Sequence, residues 1–117
     1  MSTSARPRLL KLSGEALKGA SDGPLDAKEV DRVCAEVMDG ARRAPVAIVI
    51  GGGNIMRGAG HKDGAIDPTR ADYMGMLATL FNALALKDGI ERRGGRSEVV
   101  GPHAVPHVAH AYDRAQV

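Results

Sequence analysis

Two glycine-bearing stretches, each following an apolar run, hold the residues best suited to chemistry. In VIGGGNIMRGAG (49–60), three adjacent glycines precede Arg57, which stands five places after Gly52. Glycine after a strand either provides a tight turn with positive φ or lets backbone N–H groups approach a phosphate closely. Arg57 is correspondingly either a solvated surface charge or a planar guanidinium that binds phosphate oxygens. The residue types alone leave both interpretations open.

The other stretch places a lysine inside an apolar segment, RLLKLSG (8–14), which predicts a short strand. A buried lysine without a partner is costly. Either this strand lies at a sheet edge with Lys11 in solvent, or the Lys11 amine points at phosphate oxygens beside the N–H groups of Ser13 and Gly14. In the second case, both glycine-bearing loops would converge on one polyphosphate.

The glycine pattern matches neither of the two common nucleotide-binding motifs. The sequence contains no G-x-x-x-x-G-K-[ST]. Gly51 and Gly53 have the first spacing of G-x-G-x-x-G, but Met56 occupies the position of its third glycine. These motifs therefore give no support for a P-loop NTPase or a standard dinucleotide-binding fold.

Strands and helices alternate around the two stretches. Asp26, with Glu29 three residues later, predicts the capping box of a helix that Pro45 ends. VAIVI (46–50) is a continuous apolar run, which is typical of a strand buried on both faces. A long helix is predicted over 70–95, and its middle is apolar almost all round, which indicates deep burial or a subunit contact.

Residues 15–25 are predicted to form a loop and residues 97–101 a third strand. The order strand, helix, strand, helix, strand predicts an α/β fold with a mostly parallel sheet and right-handed crossovers. Ligands in such folds lie beyond the carboxyl ends of the strands, where both glycine-bearing loops fall. Residues 102–117 are predicted to be a proline-punctuated loop that ends at the start of a helix.

Composition narrows the class of protein. A length of 117 residues favours one domain. The net charge is +2, and acidic and basic residues are interspersed, so the sequence shows no basic stripe that would bind nucleic acid. Aromatic residues make up only 3%, so base-stacking platforms are not expected. No apolar run approaches the ~20 residues that span a bilayer, and the first ten residues lack a signal-peptide pattern. The single cysteine excludes an internal disulfide, which fits a reducing compartment. From these features together we expect a soluble, cytoplasmic protein.

The remaining metal-binding or nucleophilic side chains are interpreted structurally. His103, His107 and His110 are spaced by four and three residues, but Pro106 between them argues against one regular helix. No carboxylate or cysteine completes the set, so we predict no metal site there. Cys34 lies on the apolar stripe of its predicted helix, which favours a core role.

Three stretches taken together resemble the bacterial uridylate (UMP) kinases of the amino-acid-kinase family: LLKLSGEAL (9–17), IGGGNIMRGAG (50–60) and DYMGMLATLFNALAL (72–86). The resemblance runs from Arg8 to the end, and the third stretch separates UMP kinases from relatives that phosphorylate carboxylates or carbamates. It implies an αβα sandwich, usually a homohexamer. It also implies Mg²⁺-dependent transfer of the γ-phosphoryl group of ATP to UMP, giving UDP in pyrimidine nucleotide synthesis.

The resemblance also implies roles for individual residues. The residues expected to contact ATP are Lys11, Leu12, Ser13, Gly14, Gly53 and Arg57. Lys11 and Arg57 would be catalytic, because they would neutralise charge that grows on the transferred group. Gly52 would contact UMP through its backbone, and Asp72 would accept hydrogen bonds from the ribose hydroxyls. By itself, Asp72 is better explained as an acid near a helix start, and the resemblance reverses this preference. KGASDG (18–23) matches a region linked in some members to activation by GTP.

Members of this family are much longer, and their later part carries the adenine pocket, a threonine-rich UMP loop and further charged residues. We therefore expect residues 1–117 to be the N-terminal part of one amino-acid-kinase domain, cut after its third strand, either as a fragment or as the product of a truncated gene. Residues 8–101 would be core, and 102–117 the start of the next connection. Such a chain is expected not to phosphorylate UMP alone.

Two alternatives stay open. One is another family member that acts on a carboxylate or carbamate, against which Asp72 in DYMGMLAT argues. The other is a non-catalytic chain that binds nucleotide or joins an intact subunit.

Overall fold

The computed structural model describes residues 6–56 and 66–113. Its elements alternate as the sequence predicts, with short additions. In chain order they are β1 (Arg8–Leu12), α1 (Glu15–Lys18), α2 (Ala27–Ala41), β2 (Val46–Ile50), α3 (Pro68–Arg92), β3 (Val100–Gly101) and β4 (His110–Ala111).

An aspartate begins each of the two long helices. The Asp26 carboxylate accepts hydrogen bonds from the N–H groups of Lys28 at 2.8 Å and Glu29 at 3.4 Å. Only half of the predicted capping box forms, because the Asp26 N–H donates to the Leu17 carbonyl at 2.7 Å. The Glu29 carboxylate pairs instead with Arg32 at 3.0 Å. The Asp26 cap nevertheless satisfies amide groups that the first helical turn leaves open.

The predicted long helix is confirmed, with shifted ends. Asp67 caps α3 by accepting from the N–H groups of Thr69 at 3.1 Å and Arg70 at 3.3 Å. Pro68 follows in the first turn, where its missing N–H costs nothing. The helix ends at Arg92, and Gly94 follows with a positive φ of 84°. The positive φ explains the glycine, since side chains rarely adopt this conformation.

The prediction of a loop over 15–25 is wrong for its first four residues, which form α1. The Glu15 N–H donates to Ser13 Oγ at 3.2 Å, and the Ala16 N–H donates to the Ser13 carbonyl at 3.0 Å. Leu17 is completely buried, so its packing stabilises a turn that local glycine signals argue against. Gly19, at φ 54°, ends the element.

Strands β1 and β2 pair in parallel, with Lys11 beside Val49 and Leu12 beside Ile50. Alternate residues of β2 are half-buried, while Val49 is 51% exposed. The prediction that VAIVI is buried on both faces is therefore wrong for the described residues. The physical reason is that α1, α2 and α3 build one core against a single face of the sheet.

That core joins all three helices. Its buried members are Leu17, Val33, Cys34, Val37, Leu86 and Ile90, with Leu12, Ile48 and Ile50 of the sheet packed against them. Helix α3 approaches α2 closely at Gly89, where a Cβ atom would stand 2.5 Å from Cys34 Sγ. The long helices therefore position the sheet, whose carboxyl edge carries both glycine-bearing loops.

The C-terminal part departs furthest from prediction. The third strand is only Val100–Gly101, and it pairs in parallel with β4 in a second, separate sheet. The chain therefore continues past its third strand with a fourth, and residues up to Asp113 form no helix. Val105 and Ala109 exchange hydrogen bonds of 2.9 and 3.0 Å across a tight turn, and this turn returns the chain to β3. Residues 114–117 lie outside the described part.

Within the described ranges, no helix combines the length and apolar character that a bilayer span requires.

Candidate functional site

The two glycine-bearing loops lie against each other at the carboxyl ends of β1 and β2. We call residues 13–14 the β1 loop and residues 51–56 the β2 loop. The Gly51 N–H donates to the Leu12 carbonyl at 3.1 Å, which extends the parallel ladder past the last residue of β2. A Cβ atom on Gly14 would stand only 2.9 Å from the Gly51 carbonyl oxygen. The adjacency expected from the topology is thus present.

A pair of asparagine side chains links the loops to α3. Asn82 of α3 is completely buried. Its Nδ2 donates to the Gly51 carbonyl at 2.7 Å and to Asn54 Oδ1 at 2.7 Å. Asn54 Nδ2 donates back to Asn82 Oδ1 at 2.9 Å and to the Pro24 carbonyl at 2.8 Å. We call Asn54 and Asn82 the amide pair.

Different structural features explain why glycine occupies each position at this edge. Gly14 has ordinary helical dihedrals, φ −57° and ψ −27°, so close packing on Gly51 and the amide pair excludes a side chain there. Gly52 packs on α3, where its Cβ would stand 2.8 Å from Ala78 Cβ. A Cβ on Gly53 would meet nothing within 4 Å among the described residues. Gly53 is therefore the member of the triplet whose missing side chain leaves open space.

The β2 loop forms one helix-like turn. The Gly52 carbonyl accepts from the N–H groups of Ile55 at 3.0 Å and Met56 at 2.9 Å. Within the described residues, the N–H groups of Gly53 and Asn54 donate to no acceptor. Successive free N–H groups in a turn form a concave surface that suits an anion.

Lys11 lies on the uncovered face of the sheet, where its residue is exposed. This exposure agrees with the interpretation of an edge strand with Lys11 in solvent, and it leaves the amine accessible to a ligand. The Leu12 side chain packs on the core instead. Any ligand contact by Leu12 would therefore involve its backbone.

Asp72 is exposed near the start of α3. It precedes Ala78, the residue on which Gly52 packs, by six positions, or about 9 Å along a helix axis. The same helix therefore carries Asp72 and supports the β2 loop. Arg57 lies outside the described residues, so its predicted position beside the loops stays a prediction.

The other candidates have ordinary surroundings. Burial raises the pKa of the Cys34 thiol, the opposite of what a reactive thiolate requires. His110 Nε2 lies 2.9 Å from Glu98 Oε2, and both side chains are exposed. Such surface pairs contribute little to stability. Among the described residues, no three His, Cys, Asp or Glu side chains gather as a metal site would require.

The sequence-based predictions did not include Asn82. Its signal is a single amide in the apolar stretch MLATLFNALAL (76–86). Where such an amide is buried, it needs hydrogen-bond partners. The identity of those partners depends on the tertiary fold, because Gly51 and Asn54 are 31 and 28 residues away.

Parallel strands whose glycine loops meet at their carboxyl ends define an α/β protein, a class in which ligands bind beyond this edge of the sheet. The family follows from comparison with known sequences. The sequence model described as the amino acid kinase family matches residues 6–115. The chain therefore belongs to the amino acid kinase family.

Two curated relatives illustrate the similarity. A uridylate kinase from Xanthomonas axonopodis pv. citri is 45% identical over 112 residues, which are 95% of this chain and 47% of the relative. A uridylate kinase from Clavibacter michiganensis subsp. michiganensis is 44% identical over 94% of this chain and 46% of its own length. The chain thus spans about half the length of the curated relatives it matches.

Solved structures agree in fold. The crystal structure of UMP kinase from Ureaplasma parvum superposes with a TM-score of 0.90 at 27% identity, covering 97% of this chain and 48% of that one. UMP kinase from Bacillus anthracis gives a TM-score of 0.84 at 31% identity, over 94% of this chain and 46% of that one. These similarities confirm the predicted α/β fold class of the amino-acid-kinase type.

Proposed function

We propose that this chain carries the phosphate-facing loops of a nucleoside-monophosphate kinase that transfers the γ-phosphoryl group of ATP to UMP, giving UDP. The observation that carries the proposal is the contact between the β1 and β2 loops at the carboxyl edge of a parallel sheet. Two relatives of this sequence are uridylate kinases, which supports UMP as the acceptor.

Phosphoryl transfer asks a protein mainly for positioning and charge stabilisation. Lys11 and Arg57 supply positive charge to the transferred group. The N–H groups of Ser13, Gly14 and Gly53 bind ATP phosphate oxygens. Gly52 contacts UMP through its backbone, and the Asp72 carboxylate accepts from the ribose hydroxyls.

ATP is used as its Mg²⁺ complex in this proposal. The free groups at the meeting of the two loops are N–H donors, whereas Mg²⁺ requires oxygen ligands. Among the described residues, no group of three His, Cys, Asp or Glu side chains could hold the ion. The ion would be held by phosphate oxygens and water.

Apolar side chains of α3 support self-association. Tyr73, Met74, Leu77 and Phe81 recur at helical spacing and are 43–53% exposed. We propose that this stripe is a contact between copies in a homo-oligomer, a hexamer in the full-length form.

Residues 18–23 form a turn in which Lys18 Nζ donates to the Ser21 carbonyl at 2.9 Å, and we propose this turn as the place where GTP acts. The single cysteine fits the reducing cytoplasm.

The test is ligand binding by the 117-residue chain, with charge-matched controls. Lys11→Ala is expected to weaken MgATP binding at least about tenfold, because hydrogen bonds to charged groups contribute about 1.5–3 kcal/mol. Asp72→Asn is expected to weaken UMP binding and leave MgATP binding unchanged. Arg43→Ala and Asp39→Asn, at the opposite edge of the sheet, are the controls. Failure of the unmodified chain to bind either ligand, or equal losses in the controls, would contradict the proposal.

Two alternatives are separated by simple assays. If the chain is part of a carboxylate or carbamate kinase, acetylglutamate or aspartate should compete for the acceptor site. If it is part of a UMP kinase, UMP should compete for that site, and acetylglutamate and aspartate should not. A non-catalytic chain that joins an intact subunit is favoured by the exposed apolar side chains of α3. Formation of UDP from MgATP and UMP by the purified chain would exclude that role. It would also contradict our expectation that the isolated chain is inactive.

A further inference from the structure

We infer that Asn82 is a positioning residue that ends the β1–β2 ladder one bond early and thereby leaves the Gly14 N–H free for an anion. The role of that N–H in binding a nucleotide rests on the proposed function. The geometry that Asn82 imposes on the two loops does not rest on it, so the two claims can fail separately.

The ladder itself provides the first step. In a parallel pair, evenly spaced N–H···O bonds alternate between the strands. Here they run from the Arg8 N–H on the Pro45 carbonyl, at 2.8 Å, to the Gly51 N–H on the Leu12 carbonyl, at 3.1 Å. The next bond of this series would join the Gly14 N–H to the Gly51 carbonyl.

Asn82 replaces that bond. The Gly51 carbonyl accepts from Asn82 Nδ2 at 2.7 Å, and within the described residues the Gly14 N–H donates to no acceptor. Gly14 remains beside Gly51, since a Cβ atom on Gly14 would lie 2.9 Å from the Gly51 oxygen and 3.0 Å from Asn82 Nδ2. The amide of α3 thus lies where the two loops come closest.

The second Asn82 hydrogen fixes the β2 loop. It donates to Asn54 Oδ1, while Asn54 Nδ2 bonds both to Asn82 Oδ1 and to the Pro24 carbonyl. The two N–H donors and the oxygen acceptor of the buried Asn82 amide therefore all have partners, and none of them is left unpaired in the apolar core. A side chain that only filled space at this position would need no amide, and burying one without partners would be unfavourable.

The first measurement is amide hydrogen exchange of the unmodified chain, followed residue by residue by NMR. Gly14 is buried, but its N–H has no acceptor among the described residues, so it is expected to exchange faster than the hydrogen-bonded N–H of Gly51. The side-chain amide protons of Asn54 and Asn82 are expected to exchange slowly. A slowly exchanging Gly14 N–H in the unmodified chain would overturn the inference directly.

The second measurement uses Asn82→Leu, with Ile90→Val as a control that weakens the core of α3 elsewhere. In Asn82→Leu the Gly51 carbonyl loses its donor, so the Gly14 N–H takes its place. Its exchange should slow about tenfold, the effect of gaining one hydrogen bond. A residue with a merely structural role would only accelerate exchange, as Ile90→Val should. Unchanged or faster Gly14 exchange in Asn82→Leu would overturn the inference.

Asn82→Asp keeps the shape of the side chain and provides a test should Asn82→Leu fail to fold. A carboxylate donates no hydrogen bond, whereas its protonated form donates one. The Gly14 amide resonance of Asn82→Asp is therefore expected to move towards its position in the unmodified chain as pH falls, while Ile90→Val shows no such movement. A resonance that behaves alike in both variants would overturn the inference.

Nucleotide binding separates this inference from the proposed function. Asn82→Asp should weaken MgATP binding about tenfold at neutral pH, because the loop N–H groups lose their arrangement. If the unmodified chain binds no MgATP yet shows the Gly14 exchange pattern, the proposed function fails and the role of Asn82 in loop geometry stands. If MgATP binds equally well to both proteins, the contribution of Asn82 to the site is refuted.

Discussion

Gly52 packs so closely on Ala78 of α3 that a Cβ atom on Gly52 would stand 2.8 Å from Ala78 Cβ and 3.3 Å from the Thr79 nitrogen. Real Cβ atoms essentially never approach as closely as the first of these distances. The β2 loop is therefore seated on the long helix as well as attached to it by Asn82. Within the glycine triplet, Gly52 allows close packing on α3, whereas Gly53 leaves the space beside its backbone open.

This difference predicts opposite behaviour of two adjacent substitutions. Gly52→Ala should lower the free energy of unfolding by about 1–3 kcal/mol, the usual cost of overpacking. Gly53→Ala, with nothing within 4 Å in the described part of the chain, should leave stability unchanged or raise it by up to about 1 kcal/mol. Urea unfolding measures both. Equal destabilisation by the two substitutions would show that backbone strain, not contact with α3, selects glycine here.

Much of the fold could be predicted because its signals are local. Asp26 caps a helix at the predicted position, and the VAIVI run is the predicted strand. The long α3 also follows from its composition. The exposed outer face of β2 could not be predicted, since a continuous apolar run does not show which of its faces a helix will cover. The short α1 was missed because burial of Leu17 outweighs the neighbouring glycine signals.

The candidate site, like the fold, could be predicted from the sequence only in part. Its location at the carboxyl edge follows from the alternation of strands and helices, and the structure places the two loops in contact. The role of Gly52 depends on Ala78 and that of Gly14 on Asn82, contacts across 26 and 68 residues of sequence. No local pattern contains such information. The predicted nucleotide contacts of Lys11, Gly53 and Asp72 stay predictions. Ligand binding by Lys11→Ala and Asp72→Asn tests two of them.

A second close contact gives a prediction about the core. In Gly89→Ala the new Cβ would lie 2.5 Å from Cys34 Sγ, so the unfolding free energy should fall by about 1–3 kcal/mol. Removing the sulfur in Cys34→Ala/Gly89→Ala should cancel most of the loss that Gly89→Ala adds. Gly75→Ala is the matched control, because nothing described lies within 4 Å and alanine favours a helix over glycine by about 1 kcal/mol. Additive effects of Cys34→Ala and Gly89→Ala in a double-mutant cycle would contradict the contact.

Cys34 also predicts a pH dependence of stability. Burial raises the pKa of its thiol above the ordinary value of 9.0. The folded protein therefore holds this proton more tightly than the unfolded chain. The contribution of Cys34 to stability is present in full below pH 9.0 and is lost as pH rises from there through the folded-state pKa.

The comparison that isolates this effect is with Cys34→Ala. Above pH 9.0, the unfolding free energy of the unmodified chain should fall more steeply than that of the variant. The same burial predicts that thiol reagents label Cys34 only as fast as the protein opens. Parallel stability curves, or rapid labelling under native conditions, would show that the thiol is not buried in solution.

The exposed stripe on α3 predicts how the chain associates. Leu77 is 53% exposed, and Phe81, one helical turn further on, is 45% exposed. Leu77→Glu places a charge in the proposed contact while leaving the core intact, so the folded protein should shift to monomers at concentrations where the unmodified chain is oligomeric. Leu9→Glu introduces the same change on the uncovered sheet face, where Leu9 is 66% exposed. Sedimentation velocity over a range of concentrations distinguishes the two variants. If Leu9→Glu dissociates the oligomer and Leu77→Glu does not, the copies meet through the sheet, and the assignment of the α3 stripe as the subunit contact is wrong.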